Sequence, residues 1–116
     1  MRPLSLALAA ALLGLSVAPA VALAGAASFT IVNGTGANMV AVAIRRFGTR
    51  EWKPLGVAPP AGAQGVVEFD DDDCAFDIQA KLAGGGTSVW QGVNLCEAKQ
   101  VRLNRDAQGA LWVDYD

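Results

Sequence analysis

Short alternating segments separated by turn residues constrain the fold of this chain more than any other feature. In 74–82, Cys74, Phe76 and Ile78 would share one face of a strand, while Asp77 and Gln79 would share the other. The same pattern predicts strands at 28–32, 39–45, 65–69, 74–82, 88–95, 100–104 and 110–115, and no stretch has a convincing helical period. About seven short strands predict an all-β fold, a small antiparallel β-sandwich resembling the immunoglobulin type, with a small β-barrel as the alternative.

Residues 1–24 have the features of a cleavable signal peptide. Arg2 adds positive charge, an apolar run extends over 4–17, and Ala22-Leu23-Ala24 is a cleavage site of the A-x-A type. The run is shorter than the roughly 20 apolar residues of a transmembrane helix. We therefore expect export to the periplasm or the extracellular medium, with no membrane span after cleavage. Cleavage after Ala20 or Ala26 is an alternative, and 25–116 is long enough for a single β domain.

The charge of the mature chain argues against two classes of partner. Residues 1–24 hold one of the nine basic residues and none of the eleven acidic ones, so 25–116 carries a formal net charge of −3. A mildly acidic domain has no electrostatic attraction to nucleic acid or to an anionic membrane surface. We expect neither as a partner.

Two cysteines, Cys74 and Cys96, lie in the mature part of the chain. In the oxidising compartment that export implies, such a pair predicts a disulfide, and the spacing is unlike the C-x-x-C of redox sites. The turn Gly84-Gly85-Gly86 lies midway between them, so a hairpin centred there would place the cysteines opposite each other at its open end. That register sets charged residues against apolar ones, and a one-residue bulge near Gly92 would restore the match.

The segment from Arg46 to Gly65 is irregular and contains three of the five prolines. One interpretation is a crossing connection in which Trp52 and Leu55 close one end of the core. The other is a binding loop with an exposed tryptophan among basic residues. The residues of this candidate contact loop are Arg46, Arg50, Trp52, Lys53 and Leu55.

An acidic run, Asp70-Asp71-Asp72-Asp73, is the most unusual local feature. Clustered carboxylates either form a solvated turn or recruit a cation such as calcium, which takes six to eight oxygen ligands. Adjacent residues of an extended segment point in opposite directions, so at most two of the four could share one ion without help. The solvated turn is the preferred interpretation, calcium is the alternative, and we expect no other cofactor.

Catalysis has little support in the sequence. The chain contains no histidine, which removes Ser-His-Asp and Cys-His catalysis and most zinc sites. A small hydrolase using paired carboxylates would have to draw on Glu51, Glu68 or Asp77, in a domain with little room for a cleft. We therefore expect no catalytic residues.

Trp90 and Trp112 are candidate exposed aromatic residues. Both are out of phase with the apolar residues around them, so one of the two is expected on an outer face.

Four motifs in order carry a resemblance to a known family. They are Phe29-x-Ile31-x-Asn33-x-Thr35-Gly36, Trp52-x-x-Leu55-Gly56, Cys74-x-Phe76-Asp77-Ile78 and Val93-Asn94-Leu95-Cys96. The chain resembles a family of small, uncharacterised exported bacterial proteins that share this cysteine pair. The resemblance implies the fold and the compartment, and it transfers no activity. Our leading hypothesis is a non-catalytic binding module whose partner is an envelope or extracellular protein or a small ligand.

Overall fold

Eight β-strands and no helix make up the part of the chain that the structure describes. The computed structural model describes residues 25–116, and the predicted signal peptide lies outside the described residues. The described residues therefore include no helix long and apolar enough to cross a membrane. The strands are β1 (Ala26–Gly34), β2 (Met39–Arg46), β3 (Lys53–Pro54), β4 (Gln64–Asp71), β5 (Ala75–Leu82), β6 (Thr87–Asn94), β7 (Gln100–Arg105) and β8 (Leu111–Tyr115).

Two four-stranded sheets pack face to face. One sheet has the order β4-β1-β7-β8 and the other β3-β2-β5-β6. All neighbouring strands are antiparallel except β1 and β7, which pair in parallel from Thr30 opposite Gln100 to Gly34 opposite Asn104. The predicted all-β sandwich is confirmed. Its strands form two separate sheets, whereas the strands of a barrel would form one closed sheet.

The core lies between the sheets and follows the predicted alternation. Phe29 and Ile31 of β1 face Phe76 and Ile78 of β5 from opposite layers, and all four side chains are almost completely buried. Apolar burial of this kind contributes about 25 cal/mol per Å². The largest of the other fully buried apolar side chains are Val67, Val93, Leu95, Val101 and Leu103.

The hairpin of β5 and β6 contains the predicted disulfide and the predicted bulge. Cys74 and Cys96 form a disulfide across its open end, with their Cα atoms 5.0 Å apart. The register shifts between Phe76 and Ile78, where β6 has the extra residue, and Gly92 has a φ of 66° at that point. The disulfide and the bulge are therefore confirmed. The disulfide closes a hairpin within one sheet, whereas in antibody domains the equivalent bond joins two sheets.

The irregular segment contributes the shortest strand. β3 is two residues long and pairs with Ala43 and Ile44 at the edge of its sheet. Pro54 is tolerated there because proline has no N–H to donate and an edge strand needs no second partner. This strand accounts for the difference between the seven expected strands and the eight observed.

Candidate functional site

An open end of the sandwich forms the pocket that we call the end pocket. Its volume is about 410 Å³, and it lies where β2 and β4 end and β5 begins. Phe69 and Phe76 are among its apolar lining residues, with their rings edge to face at 5.1 Å. The other lining residues are Ile44, Arg45, Arg46, Thr49, Arg50, Glu51, Lys53, Asp70 and Asp71.

The alternation of β2 carries Arg46 to this pocket. Val42 and Ile44 point into the core, and Arg46 follows on the same face where the sandwich ends. Its Nη2 donates to Asp71 Oδ1 at 2.9 Å, and its Nε donates to Asp71 Oδ2 at 3.3 Å. This two-pronged contact fixes the planar guanidinium against the carboxylate. The same Nε lies 3.5 Å from an oxygen of Asp73.

The pair also changes the acidity of both groups. Partial burial opposes ionisation of Asp71, but the backbone N–H of Asp73 and the Arg46 guanidinium outweigh it and lower the pKa of Asp71. The hydrogen bond and the charge of Asp71 raise the pKa of Arg46. Both groups therefore stay charged at neutral pH.

The acidic run does not gather its four carboxylates around one point. Asp71 Oδ1 accepts the backbone N–H of Asp73 at 2.9 Å, while Asp70, Asp72 and Asp73 are exposed. Within residues 25–116 no group of three or more His, Cys, Asp or Glu side chains is arranged to hold a metal ion. The calcium hypothesis therefore has no assembled ligand set here, since Arg46 contacts two of the carboxylates.

The residues of the candidate contact loop fall into three groups. Arg46 is paired with the acidic run, as described above. Trp52 and Leu55 are half-buried, and Leu55 packs against the core. Arg50 and Lys53 are exposed and line the end pocket, and neither forms an ion pair with a described residue. Leu55 thus packs as the crossing-connection interpretation expects, and the binding-loop interpretation stays a prediction for Arg50 and Lys53.

Trp52 belongs to a cluster on the outer face of its sheet. Its ring lies under the guanidinium of Arg45, whose Cζ is 4.3 Å from the ring centroid. Such a cation–π contact contributes roughly 0.5–1 kcal/mol at a partly exposed site. Arg45 in turn donates from Nε to Asp77 Oδ2 at 2.9 Å. Trp52 therefore covers an ion pair rather than filling the core.

Asp77 is the structural residue that sequence reasoning missed. It lies between two core residues and would be expected on the solvent face, yet it is only 2 % exposed. Its Oδ1 accepts the N–H of Gly92 at 3.0 Å, which satisfies a backbone donor freed by the bulge. Both carboxylate oxygens accept a hydrogen bond within the fold, which gives Asp77 a structural role. An aspartate next to a predicted bulge was the sequence feature that could have indicated this role.

The sequence predicts that one of the two candidate tryptophans is exposed, and in the structure Trp112 is exposed and Trp90 is not. Trp90 is 2 % exposed, and its indole N–H donates to the backbone oxygen of Asn104 at 2.9 Å. The bulge changes the phase of β6, so Trp90 and Val93 both point inward although their positions differ in parity. Trp112 is 46 % exposed on β8, as expected for one of the pair.

A buried asparagine anchors the opposite end of the sandwich. Asn33 Nδ2 donates to the backbone oxygens of Ala37 and Pro59, and its Oδ1 accepts from the N–H and the hydroxyl of Thr35. All its polar capacity is used within the fold, which assigns this motif residue a structural role.

The comparisons with known proteins support the fold. No protein-family model and no curated protein matches the chain. The fold is similar to the NMR structure of a protein from Eubacterium rectale, with a TM-score of 0.52 and 14 % sequence identity. The similarity covers 78 % of this chain and 87 % of that one. At this sequence identity the similarity supports only the fold class, a small all-β sandwich, and indicates nothing about a ligand.

Proposed function

We propose that this chain is an exported, non-catalytic binding module whose end pocket contacts an acidic partner. The observation that carries the proposal is a difference among the four basic side chains at this pocket: two are paired with carboxylates and two are not. Arg45 and Arg46 are neutralised by Asp77 and Asp71. Arg50 and Lys53 are exposed and have no ion-pair partner among the described residues.

The pocket combines these two exposed cations with a base of packed side chains. The Arg46–Asp71 pair holds the ends of β2 and β4 together, and two phenylalanine rings pack beneath. A ligand group would thus meet a pre-formed surface, which reduces the entropic cost of binding. A carboxylate-bearing segment of an envelope or extracellular protein fits best, with a small anionic ligand as the alternative.

Export is part of this proposal. The disulfide is consistent with an oxidising compartment, and the resemblance to exported bacterial proteins agrees with it. For the chain expressed in full and recovered from the periplasm, we expect the mass of residues 25–116 less two hydrogens. Recovery of an uncleaved chain with free thiols would contradict export.

A charge-reversal experiment tests the binding site. Disulfide-bonded 25–116 serves as bait in a pull-down from periplasmic extract, read by quantitative mass spectrometry. We expect Arg50→Glu combined with Lys53→Glu to lose the enriched partners at least about tenfold, because two attractive contacts become repulsive. Partner capture by the unchanged protein should also weaken as salt is raised.

The matched control reverses two exposed cations elsewhere. Lys99→Glu with Arg105→Glu makes the same change in net charge away from the pocket. Equal partner loss in both double variants, or in neither, would sink the proposed site. Calcium is the alternative function, and a rise in melting temperature on adding calcium, abolished by Asp72→Asn with Asp73→Asn, would favour it.

A further inference from the structure

A second groove lies along the side of the sandwich, between the edge strands β6 and β8. We call it the seam groove; its volume is about 370 Å³. It is lined by Val89, Gln91, Leu111, Trp112, Val113 and Tyr115, with Trp90 behind them. It shares no lining residue with the end pocket.

The walls of the seam groove are held in place from both sheets. The Trp90 indole bridges from β6 to the backbone of Asn104 on β7. At one end Tyr115 Oη accepts the N–H of Asn94, which joins β8 to β6 at 3.2 Å. The first bond joins the edge strand β6 to the other sheet, and the second joins the two facing edge strands, which have no backbone ladder between them. The groove is therefore pre-formed rather than opened by a ligand.

The chemistry of the lining is uncharged and aromatic. The lining contains no Asp, Glu, Lys, Arg or His, and the nearby carboxylate of Asp114 accepts from Asn104 Nδ2 at 3.0 Å. Trp112 is 46 % exposed on the outer face of β8, whereas Tyr115, 50 % exposed at the end of the strand, points to the opposite face. Gln91 is exposed on β6, the other wall of the groove, with an amide that can both donate and accept.

This combination selects one ligand class. A flat ring face packs against the C–H groups of a pyranose, and an amide pairs with its hydroxyls. A charged ligand would lose its hydration here without gaining a counter-charge. We propose that the seam groove binds a neutral saccharide, with Trp112 as the stacking residue and Gln91 as the hydrogen-bonding residue.

Tryptophan indole resonances give a direct test. In a ¹H–¹⁵N correlation spectrum each of the three tryptophans contributes one indole peak, assigned by Trp52→Phe, Trp90→Phe and Trp112→Phe. The probes are cellohexaose, chitohexaose and maltoheptaose, each titrated to about 5 mM, the weak end of specific binding. We expect at least one to shift the Trp112 indole and the Gln91 backbone peaks, while the Trp52 indole stays in place.

Variants separate stacking from a general effect on the fold. Trp112→Ala should weaken binding at least about tenfold, because it removes the ring face on which the sugar would pack, and Trp112→Phe should restore part of it. Arg50→Glu with Lys53→Glu should leave saccharide binding unchanged, so the two sites can fail independently. No shift with any probe, or equal binding by Trp112→Ala, would overturn the proposal. Shifts of the same peaks on protein dilution without sugar would assign the groove to a second copy and also overturn it.

Discussion

At the scale of single residues, three buried polar side chains form hydrogen bonds that apolar residues could not form. Asn33, Asp77 and Asn104 are each less than 5 % exposed, and each satisfies polar groups of a neighbouring segment. Asp77 has the most demanding environment, because a carboxylate out of contact with water needs both charge and hydrogen-bond compensation. Arg45 and the Gly92 N–H supply both.

Removing the Asp77 carboxylate should therefore destabilise the protein strongly. Asp77→Ala leaves a partly buried guanidinium without its partner and a backbone N–H without an acceptor. We expect the free energy of unfolding to fall by about 3 kcal/mol, measured by urea denaturation of the oxidised protein. Asp77→Asn keeps an acceptor and should cost less.

Asp70→Ala is the matched control for that variant. Asp70 is an exposed aspartate on β4, and its removal should change the free energy of unfolding by less than about 0.5 kcal/mol. If both alanine variants cost the same, Asp77 does not have the compensating role described here.

At the scale of elements, the β5–β6 hairpin shows how one extra residue reorganises a strand. On the N-terminal side of the bulge, Ser88 and Trp90 of β6 point inward. On its C-terminal side, Val93 points inward. The bulge depends on Gly92, whose positive φ is strained for residues with a Cβ. Ile78 is thereby set opposite Trp90, and Phe76 opposite Val93.

Gly92→Ala tests the bulge. The left-handed conformation should cost an alanine about 1–2 kcal/mol in the free energy of unfolding, and an added Cβ meets only Phe47 Cδ1 at 4.0 Å, so strain rather than collision is measured. Gly65→Ala is the control, since Gly65 has no positive φ and its Cβ would make ordinary contact with Val57. Thermal denaturation of both variants should show a clear loss only for Gly92→Ala; an unchanged melting temperature there would contradict the strain argument.

At the scale of the whole molecule, a domain of this size depends on its covalent link. Small domains bury a modest share of their surface and are marginal in stability. Cys74 and Cys96 are 22 positions apart, and the link also ties the end of the acidic run to the segment after β6.

Loss of the disulfide should cost about 3 kcal/mol of unfolding free energy in the chain-entropy model. Cys74→Ser with Cys96→Ser, compared with the oxidised protein by urea denaturation, measures this cost. The double variant under reducing and non-reducing conditions serves as control, because a reductant should change only the protein that has the bond. A double variant as stable as the oxidised protein would show that packing alone suffices.

The alternation of residues such as Phe76 and Ile78, the Gly84-Gly85-Gly86 turn and the cysteine pair were enough to predict seven of the eight strands, the hairpin and its bulge. These features are local or depend on one contact that is symmetric about a turn. The order of residues along the chain is therefore enough to predict them.

Only the tertiary structure decided which side chains meet across the sheets. Arg46 and Asp71 are 25 positions apart, and the basic loop and the acidic run form one pocket because β2 and β4 end at the same end of the sandwich. Trp112 and Gln91 likewise line one groove because β6 and β8 are the facing edges of different sheets. Pairing between sheets depends on how twisted layers stack, and no periodicity along the chain encodes it.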